Sequence, residues 1–270
     1  MLTAILLALG TYLAIAGGLW AAQERLIFLP DQRPLAAAGP FALGRLRTPD
    51  GLDLAFLHAP PRAPAAPVIL YFQGNGGQAA DRAGALTPVV ARGAGVVIAG
   101  YRGYGGNPGA PSEAGLRRDA AAHLAWLRAR HPGAPVVLWG ESLGGALATQ
   151  LAREDPAGVV ALVLDSPFTS IAKLAQAHYP WLPVRALLRH AFESEAALAA
   201  LRLPVLILHA DGDAVVPAAH GRRMLAVAQA AGAPAEALFL PGGAHPAVLN
   251  GGPAPMAAAL RFLDRVAPAR

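Results

Sequence analysis

Residues 136–153 leave this chain little choice of architecture. Val136-Val137-Leu138-Trp139 is a continuous apolar run, the pattern of a strand buried on both faces. Gly144 onward is rich in Ala and Leu with few breakers, which predicts a helix. Only Gly140-Glu141-Ser142-Leu143-Gly144 stands between the two. A strand that turns into a helix through one residue needs strained backbone angles there and almost no side chain on the neighbours. The GxSxG spacing supplies both conditions and pushes the Ser142 hydroxyl out at the carboxyl edge of a sheet.

Around this unit the chain alternates between strand and helix. Strands are predicted near 68–72, 96–99, 136–139, 160–164, 205–209 and 237–240, and helices near 79–92, 113–130, 145–153, 221–231 and 255–266. Several strands are unbroken apolar runs, so the fold class is α/β: a mostly parallel, doubly wound sheet with helices on both faces. Leu52, Leu54 and Phe56 alternate with Asp53 and Ala55, which predicts an early antiparallel strand at a sheet edge. With 270 residues, 54% of them hydrophobic, the chain has material for one sizeable core.

A serine hydroxyl is a poor nucleophile at neutral pH unless a positioned base takes its proton, and the base needs an acid to fix its tautomer. On such a sheet these partners belong in loops at the carboxyl ends of later strands. Asp211-Gly212-Asp213 follows the strand near 205–209, and Gly242-Gly243-Ala244-His245 follows the strand near 237–240. The order Ser142, Asp213, His245 therefore places each member just beyond its own strand, with Asp211 and Asp165 as alternative acids. A developing oxyanion needs backbone donors. Leu143 follows the serine, and Gln73-Gly74-Asn75-Gly76-Gly77 follows the strand near 68–72, giving Asn75 as the second donor and Gly74 as its alternative. No Cys or His/carboxylate spacing resembles a metal site and no GxGxxG stands in dinucleotide context, so neither metal nor cofactor is expected.

Residues 2–22 carry no charge and, at about 1.5 Å per residue in a helix, are long enough to cross a hydrocarbon core of roughly 30 Å. They are expected to form a retained transmembrane anchor, ahead of a catalytic domain over 23–270. A cleaved signal peptide is the competing reading, since Ala14-Ile15-Ala16 resembles a cleavage site. Arg25, Arg33, Arg45 and Arg47 follow the span, so the positive-inside rule favours a cytoplasmic domain, although the side stays open. The formal charge of +5 comes from scattered arginines with a single lysine, Lys173, and no basic run interleaves with aromatics. Nucleic acid is therefore not an expected partner. The absence of cysteine excludes disulfides and thiol catalysis.

Several blocks in this order resemble a known family, the membrane-anchored α/β-hydrolases described as serine-aminopeptidase-like. They are Gln23-Glu24-Arg25-Leu26-Ile27-Phe28, Gly74-Asn75-Gly76-Gly77, Tyr101-Arg102-Gly103-Tyr104-Gly105, Gly140 to Gly145, Asp165-Ser166-Pro167-Phe168, Asp213-Ala214-Val215-Val216-Pro217 and Gly243-Ala244-His245. The resemblance covers nearly the whole chain. It implies the α/β-hydrolase fold and a Ser142, Asp213, His245 triad, with Asp213 preferred to Asp211. It also implies a site wall from the loop carrying Tyr104, with Gly74 and Tyr104 near substrate, and a small cap inserted at about 171–201 in which Tyr179, Trp181, Leu182 and Leu187 are apolar. Two departures stand out: Gln73 where the family commonly has His, and Pro246 where it often has Asn. The function expected from the resemblance is hydrolysis of a small-molecule acyl ester, lipophilic or lysophospholipid-like, with thioester and peptide hydrolysis as alternatives on the same triad. A non-catalytic, membrane-anchored binding protein is the alternative from a different class.

Overall fold

In a computed structural model of the protein, residues 1–268 are described. Eight strands form one sheet: β1 (Ala42–Arg47), β2 (Asp53–Ala59), β3 (Val68–Phe72), β4 (Gly95–Ile98), β5 (Val136–Glu141), β6 (Val159–Asp165), β7 (Val205–Ala210) and β8 (Ala235–Leu240). Their spatial order is β8-β7-β6-β5-β3-β4-β2-β1. β1 and β2 pair antiparallel, β2 runs antiparallel to β4, and every other neighbouring pair is parallel. The α/β expectation thus matches the observed sheet. β2 differs from the expectation in one respect: it is not an edge strand, because β1 covers its outer side. Leu54, Ala55, Phe56 and Leu57 are all buried, so β2 is covered on both faces.

The strands' alternation divides the core in two. Leu70, Val97, Leu138, Leu162 and Ile207 point to the face covered by α3 (Glu113–Arg130), α4 (Leu143–Glu154) and α8 (Ala218–Ala230). Ile69, Val96, Val137, Val163 and Leu206 point to the face covered by α2 (Ala83–Ala91) and α9 (Pro253–Val266). Crossovers of a right-twisted parallel sheet send successive helices to the two faces, and this brings the loops after β3, β5, β6, β7 and β8 to one edge.

Two further parts flank that edge. Helix α1 spans Leu2–Ile27, five residues beyond the uncharged run, and is long and apolar enough to cross a membrane. Between β6 and β7 lie α5 (Ile171–His178), α6 (Val184–Leu187) and α7 (Ser194–Leu198). Ser194, Ala197 and Leu198 are buried, and α7 packs into the α4/α8 layer, so the part that stands out from the body is the segment carrying α5 and α6. That segment packs on α1: Ala16 is buried against Leu182 and Val184, with Tyr12 and Leu19 alongside. Polar contacts fix the pairing. Gln23 donates to Leu187 O at 3.3 Å and accepts from the Arg189 N–H at 2.7 Å, and the Arg189 guanidinium lies 4.0 Å from the Trp20 ring.

Candidate active site

Ser142 joins β5 to α4 with φ 50° and ψ −112°, a conformation that strains any residue with a Cβ. The neighbours show why the turn needs glycine. A Cβ on Gly140 would stand 2.2 Å from Gly144 O, and one on Gly144 would stand 2.0 Å from Phe72 O. The turn is held from outside by the Ser142 N–H, which donates to Asp165 O at 2.8 Å. As the first residue of α4, Leu143 has a backbone N–H with no intrahelical partner.

Asp213 is 5% exposed in the loop after β7. Its Oδ1 accepts from the N–H groups of Val215 and Val216 at 2.9 and 2.8 Å, and its Oδ2 lies 2.7 Å from His245 Nδ1. Burial pushes the Asp213 carboxyl up, but the hydrogen bonds from His245, Val216 and Val215 outweigh it and hold the group below the ordinary range. An ionised Asp213 places the imidazole proton on Nδ1 and leaves the Nε2 lone pair available. Asp211 is elsewhere: it is exposed and pairs with Arg222 at 2.6 Å. Asp165, the third acid, is fully buried and takes the N–H groups of Ala247 and Val248 at 2.9 and 3.1 Å. It thereby pins the segment just after His245 to the same residue whose carbonyl holds Ser142. Ser142 and His245 share no hydrogen bond in this structure, a contact that at such centres often closes only around substrate.

The loop after β3 is braced by side chains that the sequence did not single out. Glu141 Oε1 accepts from the Gly74 N–H at 3.1 Å and from Arg82 Nη2 at 2.6 Å, and its Oε2 accepts from Tyr71 at 2.8 Å and from Arg82 Nε at 2.9 Å. Gly74, the alternative oxyanion donor, therefore has its N–H committed, whereas the Asn75 N–H has no partner among the described residues. Tyr104 is buried with its hydroxyl donating to Asn75 O at 2.9 Å, and Tyr101 donates to Gln73 O at 3.0 Å. Against expectation, Gly74 and Tyr104 do not line the cavity beside Ser142. They hold the loop that does. At the other departure, Pro246 brings no N–H, and Asn250 Nδ2 instead donates to the carbonyls of His245 and Pro246 at 2.7 and 3.2 Å. Among the described residues, no three His, Asp or Glu side chains converge as metal ligands would.

Ser142, Leu143 and Asn75 form the floor of a cavity of about 360 Å³, within the range of small-molecule sites. Its walls are mainly apolar and come from Phe168, the α5/α6 segment, Val215 and Val216, and, unforeseen from the sequence, from Leu19, Trp20, Leu26 and Ile27 of α1, with Gln23 and His178 as polar members. A strained serine at a strand-to-helix turn, free amides beside it and an Asp–His pair at the same sheet edge are the equipment of acyl-transfer hydrolases.

Comparison with known proteins places the chain among the alpha/beta hydrolases. The alpha/beta hydrolase fold family matches residues 67–192. The chain is 30% identical over 274 residues to the alpha/beta hydrolase domain-containing protein WAV2 of Arabidopsis thaliana, covering 91% of this chain and 89% of that protein. It is 38% identical over 242 residues to an uncharacterized protein of Mycobacterium tuberculosis, covering 86% of this chain and 84% of that one. This chain belongs to the alpha/beta hydrolase family and is a hydrolase. Over 180 residues it is also 36% identical to the lysophosphatidylserine lipase ABHD12 of Rattus norvegicus, covering 60% of this chain and 45% of that protein. The Pyrococcus furiosus esterase Pf2001 shares the fold with a TM-score of 0.69 at 14% identity, covering 89% of this chain and 98% of that one.

Proposed function

We propose that the chain is a membrane-tethered serine esterase acting on lipophilic acyl esters, with single-chain phospholipids as the preferred class. The observation that carries this reading is the 2.7 Å His245–Asp213 pair at the sheet edge that presents the strained Ser142 to an apolar cavity. In the proposed reaction Ser142 Oγ attacks the ester carbonyl while its proton passes to His245 Nε2. The N–H groups of Leu143 and Asn75 hold the oxyanion, and Asp213 keeps the imidazole oriented and stabilises its charged form. His245 then gives the proton to the departing alcohol. Water, deprotonated by His245, attacks the acyl-enzyme and releases the carboxylic acid.

The apolar cavity walls favour an acyl chain. A carboxylate that would pair with a substrate amine is absent from the described lining, which disfavours aminopeptidase activity. The named activity of the rat lipase supports a lysophospholipid. Residues 1–22 serve in this reading as a single-pass anchor and 23–270 as the catalytic domain, capped over about 171–201.

Turnover of p-nitrophenyl esters of rising acyl length, and of lysophospholipids, by the detergent-purified full chain tests the proposal. The expected result is activity that rises beyond the acetate and falls by at least about 10³-fold in Ser142→Ala and His245→Ala. Folded wild-type protein that turns over no ester, or variants as active as wild type, would sink it.

A further inference from the structure

The tip of the cap is built unlike an ordinary solvent loop. Tyr179 and Trp181 are 38% and 49% exposed, and Pro180 and Pro183 beside them carry no N–H. Its carbonyls all have partners: Gln176 Nε2 shares its hydrogens among Tyr179 O, Pro180 O and Leu182 O at 3.1, 3.4 and 3.0 Å, the Tyr12 hydroxyl donates to Trp181 O at 3.3 Å, and Pro183 O accepts from the Ala186 N–H at 3.0 Å. The N–H groups of Tyr179, Leu182 and Val184 are bonded to backbone carbonyls, which leaves Trp181 with the one backbone N–H in 179–184 that has no partner among the described residues. A loop in water has no need of such provision. A loop in hydrocarbon does, because nothing there replaces a missing partner.

The position of the tip along α1 points the same way. Tyr12, which stacks edge-on against Trp181 with ring centroids 6.0 Å apart, lies ten residues inside the apolar run from Ala22. At about 1.5 Å per residue that is roughly 15 Å, one leaflet of a core about 30 Å thick. The cavity above Ser142 runs between these same two parts, with Leu19 and Leu26 of α1 on one side and Leu182 and Leu187 of the cap on the other.

We propose that the cap tip, residues 179–183, is inserted in the same leaflet as the second half of α1, and that the acyl chain of a bilayer lipid reaches Ser142 by sliding between them. The inference rests on the reading of α1 as a span and of Ser142 as the nucleophile. On this account α1 is also one wall of the acyl site, so the lipid's tail is sorted before its ester meets the serine.

The chain has no cysteine of its own, so a nitroxide label is readily placed at Trp181→Cys. Ala157→Cys, exposed in the turn before β6 at the opposite end of the sheet, is the reference. The full chain in phosphatidylcholine nanodiscs should show oxygen accessibility exceeding that of a nickel chelate at 181 and the reverse at 157. A label at 181 as open to nickel as that at 157 overturns the proposal. In a second arm, Trp181→Asp should lower turnover of a lysophospholipid presented in bilayers by about tenfold or more, with turnover of dissolved p-nitrophenyl acetate unchanged. Undiminished lipid turnover also overturns it. Failure of the underlying readings looks different: a wild type that hydrolyses no ester removes the nucleophile reading, and a wild type extracted from membranes by carbonate removes the span.

Discussion

At the scale of single residues, the candidate site is held by carboxylates that do no chemistry in the proposed reaction. Glu141 is 2% exposed and ties the Gly74 loop to Arg82 and Tyr71, so it sets the position of the neighbouring Asn75 amide. Glu141→Gln would face one of these donors with its NH₂ group and leave Arg82 partly unpaired. The expected cost is about 3 kcal/mol of stability, with kcat lowered about tenfold or more and KM little changed, as read by thermal unfolding and ester kinetics. Equal changes in kcat and KM would contradict a positioning role. Asp165 offers a different test. Burial, and then the nearby Glu141, push its carboxyl from an ordinary 3.8 up to about 7. Between those values the folded chain holds a proton that the unfolded chain has released, so this group makes stability fall as pH rises from about 4 to about 7, by at most about 4 kcal/mol. Comparing thermal unfolding of wild type and Asp165→Asn across that window should show the slope reduced in the variant. Superimposable pH profiles would mean that Asp165 titrates at its ordinary value when folded. Asp213 and His245 were legible from their place after successive strands. Glu141 and Asp165 were not, because the partners that reveal their work, Gly74, Arg82 and Ala247, lie far away in sequence.

Among the elements, those with a buried face of regular period were readable and those without were not. β3 through β7 announce themselves as largely apolar runs, and the Ser142 turn follows directly from Gly140 and Gly144. β1 gives no such signal: of its six residues only Leu46 is buried, and Gly44 sits under the Phe56 ring, where an added Cβ would fall 2.5 Å from the ring. That hidden strand is why β2 reads as an edge from sequence alone. The turn into α4 separates two adjacent glycines. Gly144→Ala would drive a methyl into Phe72 O and should cost more than about 3 kcal/mol or abolish folding. Gly145→Ala meets nothing nearer than 3.5 Å and should be neutral or stabilise by up to about 1 kcal/mol through helix propensity. Denaturant titration of the two variants checks this, and similar losses in both would show that the turn is not what constrains Gly144.

For the whole molecule, the feature least visible in the sequence is the shared cavity between α1 and the α5/α6 segment. A helix that is apolar all round carries no mark of which side faces lipid and which faces a ligand. Its pocket side is recognisable only once Leu19, Leu26 and Gln23 are seen against the α5/α6 segment. The sheet, by contrast, was largely written in the strand periods, and with it the edge at which Ser142, Asp213 and His245 gather. The proposed reaction depends on this edge activating Ser142. Its most direct test is intact-protein mass spectrometry of the full chain after exposure to a fluorophosphonate, beside Ser142→Ala and His245→Ala. The expected result is one adduct per wild-type chain, carried on the peptide containing Ser142, absent in the serine variant and slowed by at least about 10³-fold in the histidine variant. A folded wild-type protein that stays unlabelled, or an adduct that persists in Ser142→Ala, would contradict it.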